Sequence, residues 1–193
     1  MKIQIRQNVF ETNSSSMHSL VVKKNSEYYT QEELENSMDV GDDGIFPIWQ
    51  TEELEFGRYP FKCLTTFKNK LMYAIASMCG RYSCNTPQKT LNEILKTAQE
   101  IYPKLKEIEL PHSRWSDTED LYYGYVDEDL LTDFLKEENI TLKEFLSNKK
   151  YVVIIDGDEY CIWTGMKHAG LVDKQAIESE YPRYKYYEED SEY

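Results

Sequence analysis

The run Tyr151-Val152-Val153-Ile154-Ile155 constrains this chain more than any other stretch. β-Branched residues in succession favour a pleated strand. Asp156-Gly157 follows, then Tyr160-Cys161-Ile162-Trp163, which predicts a β-hairpin on a favoured turn dipeptide. The opposite end alternates, with Ile3 and Ile5 set against Lys2, Gln4 and Arg6, and so predicts a half-buried strand. Leu20-Val21-Val22 is a second short strand. The expectation is an α+β domain. Its mainly antiparallel sheet joins the N-terminal strands to the C-terminal hairpin, with three to four helices packed on one face. The 193 residues suffice for one hydrophobic core. Residues 1–178 form the expected domain, and 179–193 an acidic, Tyr-rich tail of the kind that frays.

The middle of the chain reads as helical. Thr30 caps a short helix over Gln31 to Ser37. Asp39 to Phe61 contains Gly41, Gly44, Pro47, Gly57 and Pro60 and reads as irregular, with a strand fragment near Ile45 to Trp49. Lys62 to Cys79 carries one apolar stripe of Leu64, Phe67, Leu71, Met72, Ile75, Met78 and Cys79, closed by Gly80. Thr86-Pro87 opens a second long helix with Leu91, Ile94, Leu95, Ala98 and Ile101 inward, and Pro103 stops it. Asp127 to Asn139 makes a third, and Thr141-x-x-Glu144 is a capping box for a fourth.

Charge narrows the function classes. Acids outnumber bases 35 to 22, a formal net charge of −13. Such a chain is disfavoured as a general binder of nucleic acid or anionic membrane, because phosphate attraction needs Lys and Arg. The acids are also clustered. Asn25 to Gly57 holds ten and Trp115 to Leu135 seven, with no Lys or Arg in either window. A solvated surface explains such runs. The sharper reading is a negative face that imitates a nucleic-acid backbone and fills a partner's basic groove. Glu32, Glu33, Glu35, Asp42, Asp43, Asp117, Glu119 and Asp120 are its expected contacts. Neighbouring Tyr side chains, Tyr28, Tyr29, Tyr122, Tyr123, Tyr125, Tyr186 and Tyr187, add contact area.

No apolar run approaches the roughly 20 residues a membrane span needs. The start, MKIQIRQNVFE, has no secretory h-region, so a cytoplasmic location is expected. Cys63, Cys79, Cys84 and Cys161 then read as free thiols. Cys79-x4-Cys84 lacks zinc-knuckle spacing, and His112 and His168 fall in no paired motif, so neither a metal nor a cofactor is expected. Asp156-Gly157-Asp158-Glu159 gathers three carboxylates but is too short for an EF-hand and reads as a turn. Trp49, Trp115 and Trp163 read as core or rim packing.

The densest polar cluster is Glu11 through Ser19. It offers a carboxylate, an amide, hydroxyls and an imidazole, donors and acceptors that suit a phosphate or sugar. His18 is placed to act as general acid or base, with Ser16 as its nucleophile. Arg6, Glu11, Asn13, Ser14 and Ser15 are the expected ligand contacts. The plainer reading is a turn held by side chain to backbone hydrogen bonds. No Gly-x-Ser-x-Gly elbow or phosphate loop accompanies the serines.

Val9-Phe10-Glu11-Thr12-Asn13-Ser14-Ser15-Ser16-Met17-His18-Ser19-Leu20 resembles the N-terminal signature F-E-T-N-S-S-S-x-H-S of a family of phage and mobile-element proteins from gut bacteria and their viruses. Glu55-Phe56-Gly57, Lys70-Leu71-Met72-Tyr73 and Gly124-Tyr125-Val126-Asp127 are similar to further stretches of that family. The resemblance implies a His after that last Asp in many relatives, whereas this chain has Glu128, so a shared metal or acid–base role does not carry over there. The resemblance implies a genomic context rather than a chemistry. In that context two functions are expected. One is an acidic inhibitor of a host nucleic-acid-handling or defence machine, of anti-CRISPR or anti-restriction type, whose partner is a host protein with a basic groove. The other is a small hydrolase, transferase or nucleotide-binding protein using loop 11–19. Oligomeric state stays open.

Overall fold

The computed structural model describes residues 17–49, 62–79, 87–110 and 128–156, with Leu54, Phe56 and Val126 between them. The strand expected over Met1 to Arg6, the second hairpin strand at 160–163 and the tail 179–193 lie outside the described residues. The fold is α+β. Strand β1 (Met17–Val22) and helix α1 (Gln31–Ser37) are followed by strands β2 (Ile45–Pro47) and β3 (Lys62–Leu64). Helices α2 (Phe67–Met78) and α3 (Pro87–Gln99) lead to β4 (Glu107–Glu109). Helices α4 (Glu128–Glu137) and α5 (Leu142–Ser147) precede β5 (Tyr151–Asp156).

The β-branched run forms the central strand. β5 lies between β1 and β3 and is antiparallel to both, with His18 opposite Ile155 and Leu64 opposite Val153. Side chains alternate across a strand. Tyr151, Val153 and Ile155 join the core shared with the helices, while Val152 and Ile154 are buried on the reverse face. A strand closed on both faces reads as a continuous apolar run, the pattern of 151–155. Both flanks of Val153–Ile155 carry ladder partners, β1 on one side and β3 on the other.

Helix α2 is the hub of the helical layer and packs against α1, α3, α4 and α5. Phe67, Leu71, Tyr73, Ala74 and Ile75 are fully buried, so α2 is apolar nearly all round, as an enclosed helix must be. Each large side chain so enclosed contributes about 1.5–3 kcal/mol of burial free energy. The helix starts later than its periodicity suggests. Thr66 is the N-cap, accepting from Asn69 N at 3.2 Å, and Lys62–Leu64 is strand β3. Leu64 therefore packs from the sheet, because pairing with Val153 overrides helical spacing at the junction.

Local signals set the other ends. Thr30 and Glu33 make a full capping box on α1. At α5 only half of the box forms: Thr141 accepts from Glu144 N at 3.1 Å, and the Glu144 carboxylate serves elsewhere. Asn139 takes a left-handed φ of 52° just past α4, the conformation of a helix C-cap. The segment 39–49 is more ordered than its glycines suggest. β2 pairs in parallel with β4 as a separate two-stranded sheet, placing Phe46 opposite Ile108. Gly44, at φ 87°, permits this approach, since a Cβ there would stand 2.8 Å from Lys104 O. Among the described residues no helix is long and apolar enough to cross a membrane.

Candidate functional site

Of the polar loop expected to hold a ligand, Arg6, Glu11, Asn13, Ser14, Ser15 and Ser16 lie outside the described residues, and His18 lies within them. His18 sits on β1 opposite Ile155, on the face turned to the helices. Its ring is 1% exposed. Nε2 is 2.6 Å from Phe56 O, and since a carbonyl only accepts, the network assigns the proton to Nε2. Nδ1 then accepts from the Tyr73 hydroxyl at 3.5 Å, a long contact. The two rings meet edge-on at 5.9 Å, and Phe56 packs edge-on to Tyr73 at 5.3 Å. The geometry ties β1 and the Phe56 segment to α2.

Five expected contacts of the first acidic window lie on α1 and in the turn before β2. Glu32, Glu33, Glu35, Asp42 and Asp43 are all exposed. Bases from distant sequence reach part of it. Lys149 Nζ lies 3.0 Å from Glu27 and 2.5 Å from Glu33. The hydrogen bond from Lys149, then that from Thr30 N, holds the Glu33 carboxyl below its ordinary pKa. Glu35 accepts from Gln31 Nε2 at 3.0 Å, and Asp43 Oδ1 from Ile45 N at 3.0 Å. Lys106 Nζ donates to Asp43 O at 2.9 Å. Asp117, Glu119 and Asp120 of the second window lie outside the described residues. Trp49, expected to pack, is 73% exposed beyond the end of β2.

Sequence reasoning missed a polar junction at the end of α5. Asn148 is buried, yet all four of its amide hydrogen-bonding positions are used. Nδ2 donates to Ser26 Oγ at 2.7 Å and to Glu144 Oε1 at 2.9 Å. Oδ1 accepts from Glu27 N at 3.2 Å and Lys150 N at 3.0 Å. Glu144 also accepts from Tyr28 OH at 2.9 Å, which raises that phenol's pKa.

Beside this junction Lys70 is fully buried. Its Nζ donates to Phe145 O at 2.8 Å and Asn148 O at 2.9 Å, carbonyls at the end of α5, where a positive charge complements the negative end of the helix dipole. Nζ also stands 5.0 Å from the Tyr29 ring centroid and 5.4 Å from that of Phe145. One signal was available in the sequence. Phe67, Lys70, Leu71 and Ala74 follow an i, i+3, i+4, i+7 pattern, so Lys70 falls within the apolar stripe.

Compared with protein-family models, with curated proteins and with solved structures, the chain matches none.

Proposed function

We propose that this chain is an acidic, phage-type binding protein that occupies a basic groove on a host nucleic-acid-handling or defence protein and so inhibits it. The supporting observation is the exposure of Glu32, Glu35, Asp42 and Asp43 within a window, 25–57, that contains no Lys or Arg. Among the described residues none of these four carboxylates forms a salt bridge, whereas Glu33 is engaged by Lys149. Glu32, Glu35, Asp42 and Asp43 are thus the contacts offered to a partner, and Glu33 helps to hold α1. Unpaired surface carboxylates attract a basic groove over long range and speed encounter. The choice of a host defence machine as target rests on the resemblance of Val9 to Leu20 to phage and mobile-element proteins. Catalysis by the polar loop, as a hydrolase, transferase or nucleotide binder, is the less favoured reading. It needs His18 to face a ligand, and His18 commits its Nε2 proton to Phe56 O inside the fold.

The test is capture from bacterial lysate at low and high salt, with bound proteins identified by mass spectrometry. A basic nucleic-acid-binding protein should be retained at low salt and lost at high salt. The combined variant Glu32→Gln, Glu35→Gln, Asp42→Asn should capture at least tenfold less. Retention that ignores both salt and the variant rejects the proposal.

A further inference from the structure

Lys70 is a buried amine without a carboxylate in contact among the described residues. Its bonded partners are two carbonyls, Phe145 O and Asn148 O, and its remaining surroundings include the Tyr29 and Phe145 rings. Charged and titratable groups approach from each packed element. Tyr29 faces it from the segment entering α1, with its OH donating to Thr65 O at 2.5 Å. Glu144 acts from α5, but its oxygens serve Tyr28 and Asn148. Lys23, just after β1, adds a repelling positive charge, and Lys149 lies 5.8 Å from the Tyr29 ring. Carbonyls and rings stabilise an ammonium less than a carboxylate does, and burial removes its hydration.

We infer that Lys70 is a proton-operated control on this fold: its amine gives up its proton while the chain stays folded, and the joint between α2, α5 and the segment entering α1 closes more firmly once it has. The inference stands apart from the acidic-binder proposal and needs no partner.

The sign follows from linkage. Burial first, then Lys23, lowers the Lys70 pKa from 10.5 to about 7, with Glu144 partly opposing. In an opened or unfolded chain water restores the ordinary value. Between about 7 and 10.5 the opened chain holds a proton that the closed chain has shed. Closure is therefore favoured increasingly as pH rises through that window. Below about 7 both states hold the proton, and the penalty of a buried ammonium is present in full. A neutral amine still donates to both carbonyls, so the joint keeps its hydrogen bonds after the proton leaves.

The experiment is a titration of the full chain carrying 13C-labelled lysine, with Lys70 assigned through its backbone and its Cε shift followed from pH 5.5 to 11. The expected midpoint is about 7. In parallel, urea unfolding of the wild type and of Lys70→Met is compared at pH 6 and pH 9. The wild type should gain stability relative to the variant on going from pH 6 to pH 9. A Lys70 midpoint at or above 10 overturns the inference, and so do parallel wild-type and Lys70→Met profiles. Should Lys70→Met fail to fold, the direct titration alone decides.

Discussion

Asn148 and Ser26, separated by 122 positions, are joined by a 2.7 Å hydrogen bond from the Asn148 amide to the Ser26 hydroxyl. The other half of that amide accepts from Glu27 N. A single buried side chain thus ties the approach to α1 to the α5–β5 turn. Asn148→Ala should destabilise the fold by about 2–4 kcal/mol, because several polar groups lose their partners at once. Asn148→Asp should also destabilise, since it removes both donors and sets a carboxylate beside Glu144. Urea unfolding of the two variants checks this, and values within 0.5 kcal/mol of wild type would reject the keystone role.

His18→Ala should lower stability by about 2–4 kcal/mol through the cavity and the unpaired Phe56 carbonyl. Captured partner protein, corrected for the folded fraction, should stay unchanged if the acidic face does the binding. Thermal unfolding and capture on the same preparation separate the two effects. Normal stability with capture lost would reverse the assignment and return attention to the polar loop.

The Lys149 junction gives an acid-side prediction. Glu33 has its folded pKa depressed, chiefly by Lys149, so its contribution is present above the ordinary value of 4.5 and fades as pH falls through the folded value. Lys149→Met removes the shared partner of Glu27 and Glu33. The variant's melting temperature should therefore fall less steeply than that of the wild type on acidification below pH 4.5. Identical slopes would show that the pair makes no contribution.

Burial pushes the Cys79 thiol up to about 12 and the Cys63 thiol to about 11, the latter slightly opposed by Lys23. The thiolate is the reactive form. At pH 8 both should label with iodoacetamide at least tenfold more slowly in the folded chain than in urea, with Cys79 the slower. Peptide mass spectrometry reads each site separately. Rapid labelling of Cys79 in the folded chain would contradict its enclosure.

Local chemistry made much of the fold legible. The β-branched run became β5, and the Thr caps of α1, α2 and α5 stand where side chains meet free backbone amides, although the cap at Thr66 was hidden inside an apolar stripe that ran on into Leu64. β3 and β4 escaped because each is three residues long, too short for a period to declare itself, and owes its extension to a partner strand. The site was less legible for the same reason at longer range. Glu33 reads as an open surface carboxylate until Lys149, 116 positions away, meets it. Asn148 gives no signal in the sequence until the Ser26 hydroxyl and the Glu27 amide, more than 120 positions away, meet it. Only Lys70 left a local trace, as a cation on an apolar stripe.

The central place of β5 has a consequence for biosynthesis. β1 and β3 emerge from the ribosome early, yet among the described residues the strand each pairs with is β5, whose first residue is Tyr151. Until translation passes that point the edges of β1 and β3 that β5 will cover stay open while the helices collapse around α2. Closure of the described sheet is then a late, high-contact-order event, and the nascent chain carries a window of aggregation risk that narrows when β5 slots between its two waiting neighbours.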